Sequence, residues 1–167
     1  MNPAIKLIAG LAIVATGAFT AFLATPQRVA PEARFATLGG ESFTTSDLRG
    51  KVTVVNFWAT WCPDCVREMP SMAERHLKYS PRGYEMIAVA MSYDHPNEVA
   101  RFAQTRALPF KVALDGDGAI SRSFGDIRAT PTTFLIDKRG RILKQYLGEP
   151  EWSEFHALVE RALGDPA

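Results

Sequence analysis

The sequence predicts an α/β fold, a mixed central sheet flanked by helices, in one domain behind an N-terminal appendage. Three observations carry this expectation. Val52 to Thr60 (VTVVNFWAT) is dense in β-branched and aromatic residues on both faces, as a central buried strand is. Strand and helix patterns then alternate through residue 124. The chain closes with two strands around a Lys138-Arg139-Gly140 turn and a final amphipathic helix. Of the 167 residues, 47% are apolar and 22% charged, and setting the appendage aside leaves roughly 130–140 residues, enough for one core. A formal net charge of +1 gives no basic field for nucleic acid and no acidic tail.

The appendage comes first. Leu7 to Leu23 (LIAGLAIVATGAFTAFL) carries no charge and follows Lys6. As a helix it is about 26 Å long, close to a hydrocarbon core of ~30 Å, and Ala24 and Thr25 can extend it. A cleaved leader ends in a small-x-small site, whereas Phe22-Leu23-Ala24 puts a large residue where a small one is needed. Residues 1–25 are therefore expected to form an uncleaved signal anchor, a single transmembrane helix in the inner or plasma membrane. The domain would then lie in the periplasm or extracytoplasmic space. Residues 26–33, with two prolines and no apolar periodicity, read as a linker, and 34–167 as the folded domain.

Within that domain, Phe35 and Phe43 flank a Gly39-Gly40 turn and suggest an N-terminal hairpin. Thr44 to Leu48 offers a helical turn ended by Gly50-Lys51, and the central strand follows. From Pro63 the pattern turns helical, with Val66, Met69, Ala73 and Leu77 at spacings of three and four. Tyr84 to Ser92 reads as a second buried strand and Pro96 to Leu108 as a helix with Val99, Phe102, Ala103 and Leu108 on one side. Phe110 to Leu114 is a short strand and Ala119 to Phe124 a short helix. Thr132 to Asp137 and Arg141 to Leu147 form the closing strands, and Trp152 to Leu163 the last helix.

The only two cysteines, Cys62 and Cys65, lie where the central strand hands over to a helix, in Trp61-Cys62-Pro63-Asp64-Cys65. Pro63 suits a first helical turn, and the unpaired N–H groups and dipole of that turn favour a thiolate over a thiol. This makes Cys62 the expected nucleophile and Cys65, one turn inward, the thiol that resolves a mixed disulfide. The other readings are a static bridge or half of a zinc site. Zinc normally takes four ligands, and His76, His95 and His156 are scattered, so no metal centre is expected.

Asn56-Phe57-Trp58-Ala59-Thr60-Trp61-Cys62-Pro63-Asp64-Cys65, then Glu68-Met69-Pro70, then Ala129-Thr130-Pro131-Thr132-Thr133-Phe134-Leu135-Ile136-Asp137, resembles the thioredoxin superfamily. Within it the closest likeness is to the membrane-anchored extracytoplasmic thioredoxins of the ResA, TlpA and CcmG type. The resemblance spans about residues 34–163. It implies a thioredoxin fold, thiol–disulfide exchange without a cofactor, and a reductant role in cytochrome c maturation or a related pathway. Protein disulfides, apocytochrome c among them, would be the substrates, and a membrane electron donor would re-reduce the pair.

Individual residues carry over. Pro131 matches the cis-proline that faces the cysteine pair, which turns the backbone of Thr130 toward a substrate strand. From the residues alone, Thr-Pro before a strand is only a turn signal. Trp61 and Pro63 match the docking surface, Trp58 the core. Glu68, three residues after Cys65 and so one turn along the same face, reads by itself as a solvated helix-surface glutamate. The resemblance makes it a proton carrier for Cys65, because Asn56 stands where most thioredoxins keep a buried aspartate. A different class of function, a thioredoxin-fold copper chaperone using Cys62 and Cys65 with His95, fits soft-ligand chemistry but departs from the C-x-x-x-C spacing. A thiol peroxidase would need a threonine-and-arginine pocket that the sequence does not display.

Overall fold

The computed structural model describes residues 28–166, so the anchor expected over 1–25 lies outside the described residues. Among those described, no helix is long and apolar enough to cross a membrane. Two short strands, β1 (Arg34–Ala36) and β2 (Ser42–Thr44), pair antiparallel, with Phe35 opposite Phe43. A 3-10 turn at Thr45–Leu48 leads into the main sheet.

That sheet has five strands: β3 (Val52–Trp58), β4 (Tyr84–Ala90), β5 (Lys111–Leu114), β6 (Thr132–Ile136) and β7 (Ile142–Leu147). Their order is β5-β4-β3-β6-β7. β3 runs parallel to β4 and antiparallel to β6, and β7 runs antiparallel to β6. Every residue of β3, β4 and β6 is buried, which explains why their sequences are mostly apolar without a strict alternation. The helices are α1 (Pro63–Tyr79), α2 (Pro96–Thr105), α3 (Ala119–Ser123) and α4 (Trp152–Gly164).

The two sheet faces are covered unequally. Val52, Val54 and Trp58 of β3 pack with residues of α1, α2 and α4, including Met72, Val99 and Phe155. Val55 and Phe57 face the other way, onto Ile120 of α3, Phe124 just after it, and Ala33, Phe35 and Leu48. One face thus carries three helices, and the other carries α3 with the N-terminal segment.

Three details depart from the sequence expectation. Leu77 is 64% exposed, and the buried stripe of α1 instead uses Cys65, Glu68, Met69, Met72, Arg75 and Tyr79. The helix expected to reach Leu108 stops at Thr105. There the Leu108 N–H bonds the Ala103 carbonyl and the Ala107 N–H that of Gln104, the pair of bonds that closes a Schellman cap. Ala107 takes the left-handed conformation, φ 47°, that such a cap requires. Finally, the described part of the linker is docked: the Ala30 N–H bonds the Gly140 carbonyl at 2.8 Å and the Ile142 N–H bonds the Arg28 carbonyl at 2.7 Å.

The β6–β7 turn is built by Asp137, whose Oδ1 accepts from the backbone of Arg139 and Arg141 at 3.0 and 2.8 Å. Gly140 has φ 75° and lies under the Arg49 guanidinium, which a Cβ would meet at 2.5 Å. A side chain there is strained by the positive φ and would push the Arg49 guanidinium aside.

Candidate active site

The end of β3 delivers Ala59, Thr60 and Trp61 to a turn whose geometry is fixed from the β4–α2 loop. Asp94, buried, accepts from the Thr60 N–H at 2.6 Å and from the Thr60 hydroxyl at 2.8 Å. Its Oδ1 also accepts from the His95 N–H at 3.0 Å. The Cys62 N–H bonds the Ala59 carbonyl, and Cys62 becomes the N-cap of α1, with Pro63 opening the helix. Cys62 Sγ accepts from the Cys65 N–H at 3.2 Å, so a helix-terminal donor points at this sulfur.

Cys62 and Cys65 form a disulfide. Cys62 retains 5% exposure and Cys65 none, so an incoming sulfur can reach only the first. The Thr130–Pro131 bond is cis, and the Thr130 carbonyl oxygen lies 3.6 Å from Cys62 Sγ. In the disulfide that sulfur has no proton to donate; reduced, a thiol at this position has an acceptor at hand. The Pro131 carbonyl in turn takes the Gly148 N–H at 2.8 Å, joining this loop to the end of β7. Trp61 is 64% exposed and stacks against Tyr93, itself 53% exposed, with ring centroids 5.4 Å apart. Trp58, by contrast, is fully buried against Phe102.

Glu68 is wholly buried on α1, one turn beyond Cys65. Its Oε1 accepts from Asn56 Nδ2 at 2.8 Å, and the same amide group donates to Thr133 Oγ1 at 2.9 Å. Oε2 has no hydrogen-bond partner. Burial pushes the carboxyl up to about 8; the Asn56 hydrogen bond opposes this, and the charges of Glu149 and Asp64 add to it. The side chain is therefore mostly protonated at neutral pH, yet poised to ionise. On the surface above it, Arg67 bridges Asp64 at 2.8 Å and Glu149 at 3.5 Å.

The structure brings Trp61, Cys62, Pro63, Cys65, Glu68, Thr130 and Pro131 to one end of the sheet. Sequence reasoning missed Asp94, Thr133, Tyr93 and the Arg67 bridge. Asp94-His95-Pro96 reads as a helix entry, and His95 does cap α2 by accepting from the Asn97 N–H at 3.3 Å. Nothing in that tripeptide signals the reach back to Thr60. His95, weighed above as a copper ligand, is thus engaged at the start of α2. Among the described residues no group of three or more histidine, cysteine or acidic side chains is arranged to hold a metal ion.

Comparison with known proteins fits this geometry. Residues 25–161 match the Redoxin family. The chain belongs to that family. The thiol-disulfide oxidoreductase ResA of Bacillus thuringiensis (strain Al Hakam) is 38% identical to this chain over 132 residues, 79% of this chain and 75% of its own. ResA of Geobacillus thermodenitrificans (strain NG80-2) is 38% identical over 119 residues, 71% and 67% of the two chains. A solved thiol:disulfide interchange protein of the thioredoxin family from Chlorobium tepidum TLS superposes with a TM-score of 0.75 at 29% identity. That match covers 84% of this chain and 99% of the other. The protein has the thioredoxin fold and is a thiol–disulfide oxidoreductase of the ResA and CcmG type.

Proposed function

We propose that this protein is a membrane-tethered reductant of protein disulfides outside the cytoplasm, with apocytochrome c as its principal client class. The observation that carries the reading is the pairing of a slightly exposed Cys62 beside the Thr130 carbonyl with a buried, proton-holding Glu68 beneath Cys65.

In the reduced protein the Cys62 thiolate attacks one sulfur of the client disulfide. A Cys62–client S–S bond forms, the client S–S bond breaks, and the departing client sulfur takes a proton. In the fraction of molecules whose Glu68 is ionised, Cys65 passes its proton to that carboxylate and attacks Cys62 Sγ, and the second client sulfur leaves and takes up a proton in turn. The client has gained two electrons and two protons, and the protein is left with the Cys62–Cys65 disulfide. Glu68 suits the second step because a carboxyl near 8 exchanges protons close to operating pH. Trp61, Pro63, Thr130 and Pro131 form the docking edge.

The direction of the reaction follows from charge. A strong oxidant stabilises its reduced thiolate, whereas Asp64 between the cysteines places negative charge near the sulfurs and disfavours it, and Glu68 below them adds to this once it ionises. The uncharged run Leu7–Leu23 supports the anchor and the extracytoplasmic placement. In that oxidising compartment the pair must be re-reduced, which calls for an electron donor in the membrane.

The test is trapping. Cys65→Ser should leave Cys62 covalently joined to its client in cell envelopes, and reductant should release an apocytochrome c. Trapping by Cys62→Ser and not by Cys65→Ser would reverse the two assignments.

A further inference from the structure

We propose that the cleft between Trp61 and α2 is a specificity subsite for an acidic side chain of the client polypeptide, close to the cysteine under attack. The proposal rests on the reading of Cys62 as the nucleophile toward a protein client.

Three observations lead to it. First, the cleft, of about 310 Å³, opens beside Trp61 and is lined on its far side by Glu98, Arg101, Phe102 and Arg106. It is continuous with the docking edge, because Trp61 is both its near wall and the residue preceding Cys62. Second, its charge is unbalanced. Glu98 lines the same cleft, yet neither Arg101 nor Arg106 has it, or any other carboxylate of the described residues, within 4 Å. Arg106 lies 5.3 Å from the centroid of the Phe102 ring, which holds its cation over the cleft wall. Asp94, behind Thr60 of the same cleft, is buried and already accepts three hydrogen bonds, so the exposed lining, two guanidiniums against one carboxylate, carries one net positive charge.

Third, the opposite flank of Cys62 carries the other sign. The sheet order puts α2, which connects β4 to β5, on one side of β3, and the residues after β7 on the other. On that second side Arg67 is shared by Asp64 and Glu149, two carboxylates against one cation. A polypeptide lying across Cys62 therefore meets a positive cleft at one end and a net negative cluster at the other. Such a gradient selects a client with an acidic residue on the α2 side, and it fixes the direction in which the segment lies. The exposed Trp61–Tyr93 pair between the two supplies apolar contact that reads no charge.

The test uses the full reduced chain in mild detergent and peptides whose single cysteine is capped by thionitrobenzoate. Attack by Cys62 forms the Cys62–peptide disulfide, breaks the cap's S–S bond and releases the coloured thiolate with the electron pair. Peptides with glutamate a few residues from the cysteine, on either side, are compared with lysine peptides of otherwise identical sequence. At about 20 mM salt the better-placed glutamate peptide should react about three- to tenfold faster, and the ratio should shrink toward one at about 0.5 M salt. Arg106→Glu should invert the preference, whereas Arg139→Gln, at the distant β6–β7 turn, should leave the ratio unchanged. Equal rates for both peptides in wild type, or a preference that survives Arg106→Glu together with Arg101→Gln, would overturn the assignment. Wild type is also tested with neutral hydroxyethyl disulfide: no reaction there would remove the exchange role of Cys62 itself, a failure distinct from loss of the charge preference.

Discussion

Replacing Glu68 by glutamine should flatten the pH dependence of stability in the oxidised domain. The carboxyl is buried, has one hydrogen bond and is held at about 8 instead of 4.5. Between these two values the folded chain keeps a proton that the unfolded chain releases. Stability from this group is therefore fully present below pH 4.5 and falls as pH rises through the folded value, by about 1.4 kcal/mol per pH unit in between. Integrated from pH 5 to pH 9 the loss is about 4 kcal/mol. His76 and His156, both depressed by burial, work in the other direction: their stability is lost as pH falls through 6.5. They are common to both proteins and cancel in the comparison. Denaturant unfolding at pH 5, 7 and 9 measures the difference directly. The wild type should lose about 3–5 kcal/mol more than Glu68→Gln across that range. Parallel curves would mean that Glu68 ionises freely in the folded state, and the proton-carrier role would fall with it.

Three further outcomes are expected. Asp94→Ala removes two charge-assisted hydrogen bonds to Thr60 and should cost about 2–3 kcal/mol in equilibrium unfolding, with slower exchange at Cys62 because the turn that holds it loosens. Ala107→Gly should stabilise the protein by about 0.5–1 kcal/mol, since glycine occupies the left-handed cap position without steric cost; a lower melting temperature would contradict the Schellman reading. A chain starting at residue 34 should be less stable by about 1–3 kcal/mol than one starting at residue 28, because it lacks the bonds to Gly140, Ile142 and Thr45.

The sheet was legible in the sequence because its inner strands are buried on both faces, so Val52–Trp58 and Tyr84–Ala90 are predominantly apolar, broken only by Thr53, Asn56 and Glu85. The cysteine pair was legible because a strand, a proline and a helical period meet there. Glu68 was not legible as a buried residue: an acidic side chain in mid-helix looks solvated, and what buries it, Asn56 of β3 and Thr133 of β6, comes from strands 12 and 77 residues apart from their partners. The family resemblance, and not periodicity, singled it out. Leu77 misled for the converse reason, since a leucine in step with the apolar period looks like core but turns outward while Arg75 and Tyr79 are covered. Asp94 was hidden by the same non-locality, its partner lying 34 residues back.

The docking of residues 28–30 has a mechanical consequence. They join the sheet at the β6–β7 turn, while Cys62 lies near Thr132, at the other end of β6. The two points are separated by the length of that strand, roughly 15–20 Å. A domain suspended by this end presents its sulfur away from the lipid. With the proposed tether, clients arriving from the aqueous side would meet that sulfur directly, whereas a donor within the bilayer would face the opposite end of the domain.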